Sequence, residues 1–218
     1  MDATAGPDGE RLALADWRRR VAELYAEVRR LARTDPRAAH EAWREGRLAL
    51  YRDHPGSPVP AAGRAAFRAL HFPYDPALRF ELGLEDAGGG AAPPGGGPIA
   101  LPNSGDDDLR FRPLGRLVLP LPGGSRTLTL FWMEGYAGGL FLPFGDATNG
   151  RETYGAGRYV LDTAKGADLG VGRDGASVVV DLNFAYQPSS AFDPRWACPL
   201  APPGNRLDVA IRAGERIA

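Results

Sequence analysis

The chain has 218 residues, 44% hydrophobic and 24% charged, enough to bury one substantial core. Its 26 basic and 27 acidic residues give a formal charge of −1, so no excess of positive charge steers it toward nucleic acid or an anionic membrane. No stretch approaches the roughly 20 apolar residues that a membrane-spanning helix needs.

The start, MDATAGPDGERLALADWRRR, lacks the basic leader and apolar core of a signal peptide. Cys198 is the single cysteine, which excludes an internal disulfide and fits a reducing compartment, so a cytoplasmic location is expected. Lys165 is the only lysine among many arginines, and alanine, glycine and proline abound, a composition expected of a GC-rich bacterial genome.

In chain order, Trp17, Val21, Leu24, Val28 and Leu31 recur at helical spacing and predict a first helix. Arg18, Arg19, Arg20, Arg29, Arg30 and Arg33 crowd that helix, interleaved with Glu10, Asp16, Glu23 and Glu27, as a solvated face would be. Asp35 and Pro36 suit the cap and first position of a second helix, which carries Ala39, Ala42, Trp43 and Leu50 and ends before HPGSP at His54. Residues 1–58 are therefore expected to form a two-helix arm, and 59–218 a β-rich unit.

From Arg79 the period changes to two, with Phe80, Leu82 and Leu84 on one face. Residues 86–98, almost without side chains to pack, predict a flexible loop. The clearest hairpin joins Gly115–Leu121 to Arg126–Trp132 through PGGS, with Pro120 suggesting an edge or a bulge. Further strands are predicted at 109–112, 139–144, 158–162, 177–184 and 207–212. Many short strands on short turns indicate an α+β chain, mainly an antiparallel β-barrel or strongly curled sheet with an N-terminal two-helix arm.

The stretch from Phe144 to Asp162, FGDATNGRETYGAGRYVLD, crowds polar side chains around four glycines and is the expected working surface. Asp146 and Glu152 supply an acid or base and Arg158 a guanidinium fork, the three catalytic candidates, while Thr148, Tyr154 and Tyr159 supply hydroxyls for ligand binding. An alternative is a turn whose Asp146 and Thr148 satisfy backbone amides. Counted from Asp146, the sixth residue is Arg151 and the twelfth Gly157, which breaks an EF-hand. Phosphate-loop, dinucleotide and serine-elbow patterns are missing too. His40, His54 and His71 are scattered, so no metal site is expected.

Read as one strand, Ser177–Phe184 points Asp181 and Asn183 the same way, and a neighbouring strand bearing Arg158 and Asp162 would complete one polar cluster at a barrel mouth. A structural network of arginine and carboxylates fits the same residues, since buried charges persist only when paired. Cys198 reads as a small buried hydrophobe more naturally than as a reactive thiol.

Five stretches then carry a family resemblance: HPGSP at His54, FPYDPALRFE at Phe72, FGDATNGRETYGAGRY at Phe144, DLNFAYQP at Asp181 and CPLAPPGNRLDVAIRAGE at Cys198. From about Trp43 onward the chain resembles domain of unknown function family 1684, found in bacteria and archaea. The resemblance implies membership without a mechanism. Asp181, Asn183 and Asn205, which lie in these stretches, are further ligand-binding candidates. Two departures are visible: Gln187-Pro188-Ser189-Ser190 stands where N-P-x-C is usual, and Gly204 stands where a glutamate precedes Asn205. A two-cysteine role with Cys198 is thereby unavailable.

The expectation drawn from these residues is a protein that binds or acts on a small anionic or polar molecule, with no cofactor identified. Two alternatives stand beside it: an interaction domain that pairs through its helical arm, perhaps with its own copy, and a flavin-binding barrel.

Overall fold

In the computed structural model, which describes residues 6–86, 97–104, 109–136 and 138–217, the N-terminal arm forms as its sequence dictates. Helix α1 (Pro7–Leu31) has proline in its first turn, Asp8 and Glu10 at its positive end and Arg29 and Arg30 at its negative end. Helix α2 (Pro36–Asp53) is capped by Asp35, whose carboxylate accepts from the Ala38 N–H at 3.0 Å. The buried face of α1 is rotated slightly from the expected stripe: Tyr25 and Val28 are fully covered, whereas Val21, Leu24 and Leu31 are only partly so. The Trp43 indole donates to the Tyr25 hydroxyl at 3.1 Å and locks the helices together. Tyr25, Val28, Ala39 and Trp43 belong to the same hydrophobic cluster as the sheet, so the arm's apolar face lies against its own core.

After the short helix α3 (Ala61–Arg64) come β1 (Leu70–His71), β2 (Arg79–Leu82), β3 (Ile99–Ala100), β4 (Arg110–Leu121), β5 (Gly124–Met133), β6 (Gly139–Phe144), β7 (Arg158–Asp162), β8 (Val178–Asp181) and β9 (Glu215–Arg216). The main sheet is antiparallel in the order β3-β4-β5-β6-β7. Its backbone is the predicted hairpin, longer than expected because β4 absorbs residues 110–112. Gly123 at φ 86° and Gly124 at φ 119° make the turn that L-residues with side chains would resist. Leu117, Leu119, Leu128 and Leu130 fill the core from this hairpin. Of the expected loop at 86–98, residues 87–96 lie outside the described residues.

The expected barrel or strongly curled sheet is not what forms: among the described residues no sheet closes. Closure would require β7 to bond to the far edge. That edge is β3, only two residues long, and beyond β7 the described residues offer isolated bridges, Tyr159 with Tyr186 and Asp162 with Ala167. The segments expected to supply closing strands do other things. Residues 177–184 form a strand only over β8, then a 3₁₀ turn at Leu182–Phe184, and β8 pairs with β2 in a separate two-stranded sheet. Residues 207–212 hold no strand. Pro199, Pro202 and Pro203 lack the N–H groups a ladder uses. Without a barrel, neither a pocket at its mouth nor a flavin-binding barrel has a place in this fold. No helix among the described residues is long and apolar enough to cross a membrane.

Candidate functional site

Asp146 and Arg158 do meet, and they do so out of reach of solvent. The Arg158 guanidinium donates to Asp146 Oδ2 at 2.9 Å, to the carbonyl of Ile211 at 2.9 Å, to that of Glu215 at 3.1 Å and to that of Ala213. Neither side chain of the pair has any exposed surface. Asp146 Oδ1 accepts from the Thr148 amide and hydroxyl at 2.8 and 2.5 Å and from the Ile211 N–H at 3.2 Å. The Thr148 hydroxyl also meets that of Thr153 at 2.7 Å. Burial pushes the Arg158 pKa down, and Asp146 opposes this by favouring the charged guanidinium. The network clasps the irregular segment 211–215 onto the end of β7.

The remaining predicted site residues lie in several places. Glu152 forms a bidentate ion pair with Arg212 on the surface, with contacts of 2.9–3.1 Å, which lowers its pKa. Tyr154 is half-buried, and its carbonyl accepts from Asn149 Nδ2 at 3.1 Å. Asn205 is fully buried and uses its whole amide on backbone: Nδ2 donates to the carbonyls of Thr129 and Pro143, and Oδ1 accepts from the Thr129 N–H. Asp181 and Asn183 touch through the 3₁₀ turn, at 2.8 Å, instead of along one strand face. Asn183 then pins the backbone of Asp75, accepting its N–H and donating to its carbonyl, both at 2.8 Å. Because β8 pairs with β2, Arg158 and Asp162 do not join Asp181 and Asn183 in one cluster. Burial pushes the Asp181 carboxyl up to about 6, against the pull of Asn183 and Arg79.

Tyr159 leads to a different place. With Asp162 at the other end of β7, it lines a cavity of about 60 Å³ beneath the helical arm. Trp17, Val21 and Tyr25 of α1, Arg47 and Tyr51 of α2, Lys165, Ala167, Cys198 and the segment Tyr186–Ser189 complete the lining. Tyr25, Arg47, Tyr51, Tyr159, Asp162, Tyr186 and Cys198 are buried, Trp17, Gln187 and Ser189 are half-buried, and Lys165 is exposed at the rim. The Arg47 guanidinium sits 4.5 Å from the centres of both the Tyr51 and the Tyr186 ring, a double cation–π contact. Its Nε donates to Glu215 Oε1 at 2.5 Å, while Glu215 Oε2 accepts from the Gln187 N–H at 2.7 Å. Arg47 is buried, which alone would favour its neutral form, yet Glu215 raises its pKa above the ordinary value.

Three buried residues bring polar groups to this space. The Tyr51 and Tyr186 hydroxyls, in residues 2% and 9% exposed, have no hydrogen-bond partner among the described residues, whereas the Tyr159 hydroxyl donates to the Pro199 carbonyl. Asp162, 4% exposed, meets one charged group, the Lys165 ammonium at 3.5 Å. Burial keeps all four tyrosines protonated by raising their pKa values, and the charge on Asp162 raises that of Lys165. The site can therefore offer neutral hydroxyls, one carboxylate acceptor and an ammonium at its rim.

Arg47 and Tyr51 were missed as site residues, although a signal was present: Trp43, Arg47 and Tyr51 follow at spacings of four, which puts an arginine on the helix's apolar stripe. Among the described residues, no three His, Cys, Asp or Glu side chains converge as a metal site would require.

The model of a family described as protein of unknown function, DUF1684, matches residues 65–216. The chain is also similar to an uncharacterized protein of Haloarcula marismortui solved by solution NMR. The two share 30% identity over 81% of this chain and 91% of that one, with a TM-score of 0.56. No curated protein matches.

Proposed function

The chain belongs to DUF1684, a family of unknown function, and on that premise we propose that it binds a small polar molecule in the cavity beneath its helical arm. The observation that carries the proposal is the convergence of Tyr51, Tyr186 and Asp162, three buried residues with polar side chains from distant parts of the chain, on one space. Tyr159, Tyr186, Cys198 and Glu215 come from three of the stretches that carry the family resemblance. Arg47, stacked between two rings and held by Glu215, fixes the orientation of both tyrosines and so preorganises the floor. Tyr51 and Tyr186 orient the ligand by hydrogen bonds, Asp162 accepts from it, and Lys165 guards the rim. The buried pair Asp146–Arg158 acts at a distance, by seating the segment that delivers Glu215 to Arg47.

The test is calorimetric titration of the full chain with glycerol, acetate, urea and methylammonium, set against the variant Tyr51→Phe/Tyr186→Phe. That variant removes two oxygens and keeps the rings. At least one probe should saturate the natural protein and bind the variant about tenfold more weakly or worse, the equivalent of losing two modest hydrogen bonds. Saturation by none, or equal binding to both proteins, would discard the proposal.

A further inference from the structure

Resting on that binding site, we infer that its ligand is a neutral polyol of a few carbons, or the hydroxylated end of a larger one, and not an anion or a cation. The charges around the cavity already cancel in pairs: Arg47 with Glu215 at 2.5 Å and Lys165 with Asp162 at 3.5 Å. A charged guest would give up its hydration and find no uncompensated counter-charge to replace it. An anion would also face the Asp162 carboxylate, and a cation would face Arg47 and Lys165.

What the cavity leaves open is hydroxyl-type hydrogen bonding. Tyr51 and Tyr186 each present a neutral O–H that donates and accepts, and Asp162 presents acceptor lone pairs. A molecule with adjacent hydroxyl groups answers this set, donating to Asp162 while exchanging hydrogen bonds with the two phenols. The walls suit its carbon side, because the aromatic residues Trp17, Tyr25 and Tyr159 line the cavity. Size agrees as well: about 10–15 Å³ of such volume holds one water, so 60 Å³ accommodates several non-hydrogen atoms.

The experiment follows the Trp17 indole N–H in proton–nitrogen correlation spectra of the full chain, assigned with Trp17→Phe, during titration with glycerol, propionate or propylammonium. Glycerol should shift the signal saturably and the two charged probes should not. Asp162→Asn should weaken glycerol binding at least fivefold, and Tyr51→Phe/Tyr186→Phe should abolish the shift while the rest of the spectrum stays native. Saturation by propionate or propylammonium in place of glycerol overturns the inference and leaves the binding site standing. Failure of all three probes overturns both. Equal glycerol binding by Asp162→Asn also rules out the assigned acceptor and with it the inference.

Discussion

Replacing Arg158 by methionine should be among the most damaging single changes available to this protein. The substitution keeps an unbranched chain in the core but removes the guanidinium donors to Asp146 Oδ2 and to the carbonyls of Ile211, Ala213 and Glu215. It leaves a carboxylate with no exposed surface facing no positive charge. Breaking one partner of such a buried pair costs about 3–5 kcal/mol, against a total stability for a domain on the order of 5–15 kcal/mol. With a urea m-value of about 2 kcal/mol per molar, the midpoint should fall by about 2 M. The assay is urea unfolding followed by far-ultraviolet circular dichroism. Adding Asp146→Asn to Arg158→Met removes the orphaned charge, so the double variant should recover about 1–3 kcal/mol relative to the sum of the singles. A midpoint shift below about 0.5 M, or strict additivity, would refute the account of these residues as a buried clasp, because a network without coupling is not holding segment 211–215 in place.

Other outcomes follow from the same geometry. Asp181 is pushed up to about 6 by burial, so its contribution to stability is complete below its ordinary 3.8 and lost as pH rises through 6. Asp181→Asn should therefore gain stability over the natural protein, on the order of 2 kcal/mol, between pH 4 and pH 7 in unfolding measured at both. His40 has the opposite sign: burial holds it at about 4 in place of 6.5, so its contribution is complete above 6.5 and lost as pH falls through 4. His40→Phe, whose ring replaces an imidazole with an unpartnered Nε2, should flatten the acid limb of a plot of stability against pH. Gly157 sits at φ 99°, and a Cβ there would lie 2.6 Å from the Phe144 carbonyl oxygen. Gly157→Ala should thus cost at least about 2 kcal/mol in the same urea assay.

The arm and the hairpin were legible because their signals are local. Asp35-Pro36 announces a helix start, and the alternation in β4 and β5 around Gly123-Gly124 announces a tight turn. Strand limits at 139–144 and 158–162 were also readable, since a short apolar run beside glycine-rich turns needs no partner to be seen. Sheet closure was not readable, because it depends on which strand finds which edge. Val178–Asp181 has the pattern of a strand wherever it pairs, and the choice of β2 over β7 is made by long-range packing. Polar composition drew attention to Phe144–Asp162 as a working surface, yet the same residue types serve a buried clasp equally well, and only solvent exposure separates the two uses. Of that stretch, Tyr159 and Asp162 reach the cavity; the helices supply Arg47 and Tyr51, more than a hundred positions earlier. Nothing in one-dimensional spacing relates position 47 to position 215.

That separation bears on how the molecule is made. Arg47 and Glu215 are 168 positions apart, so a ribosome releases the arm long before the residue that neutralises it. Until then α2 presents a lone guanidinium amid Trp43 and Tyr51, and α1 and α2 hold an apolar face with no sheet to receive it. The first structure to emerge is the last to be completed. At synthesis rates of roughly 5–20 residues per second, this interval lasts on the order of ten seconds or more, during which the arm's apolar face has nothing of its own chain to cover it.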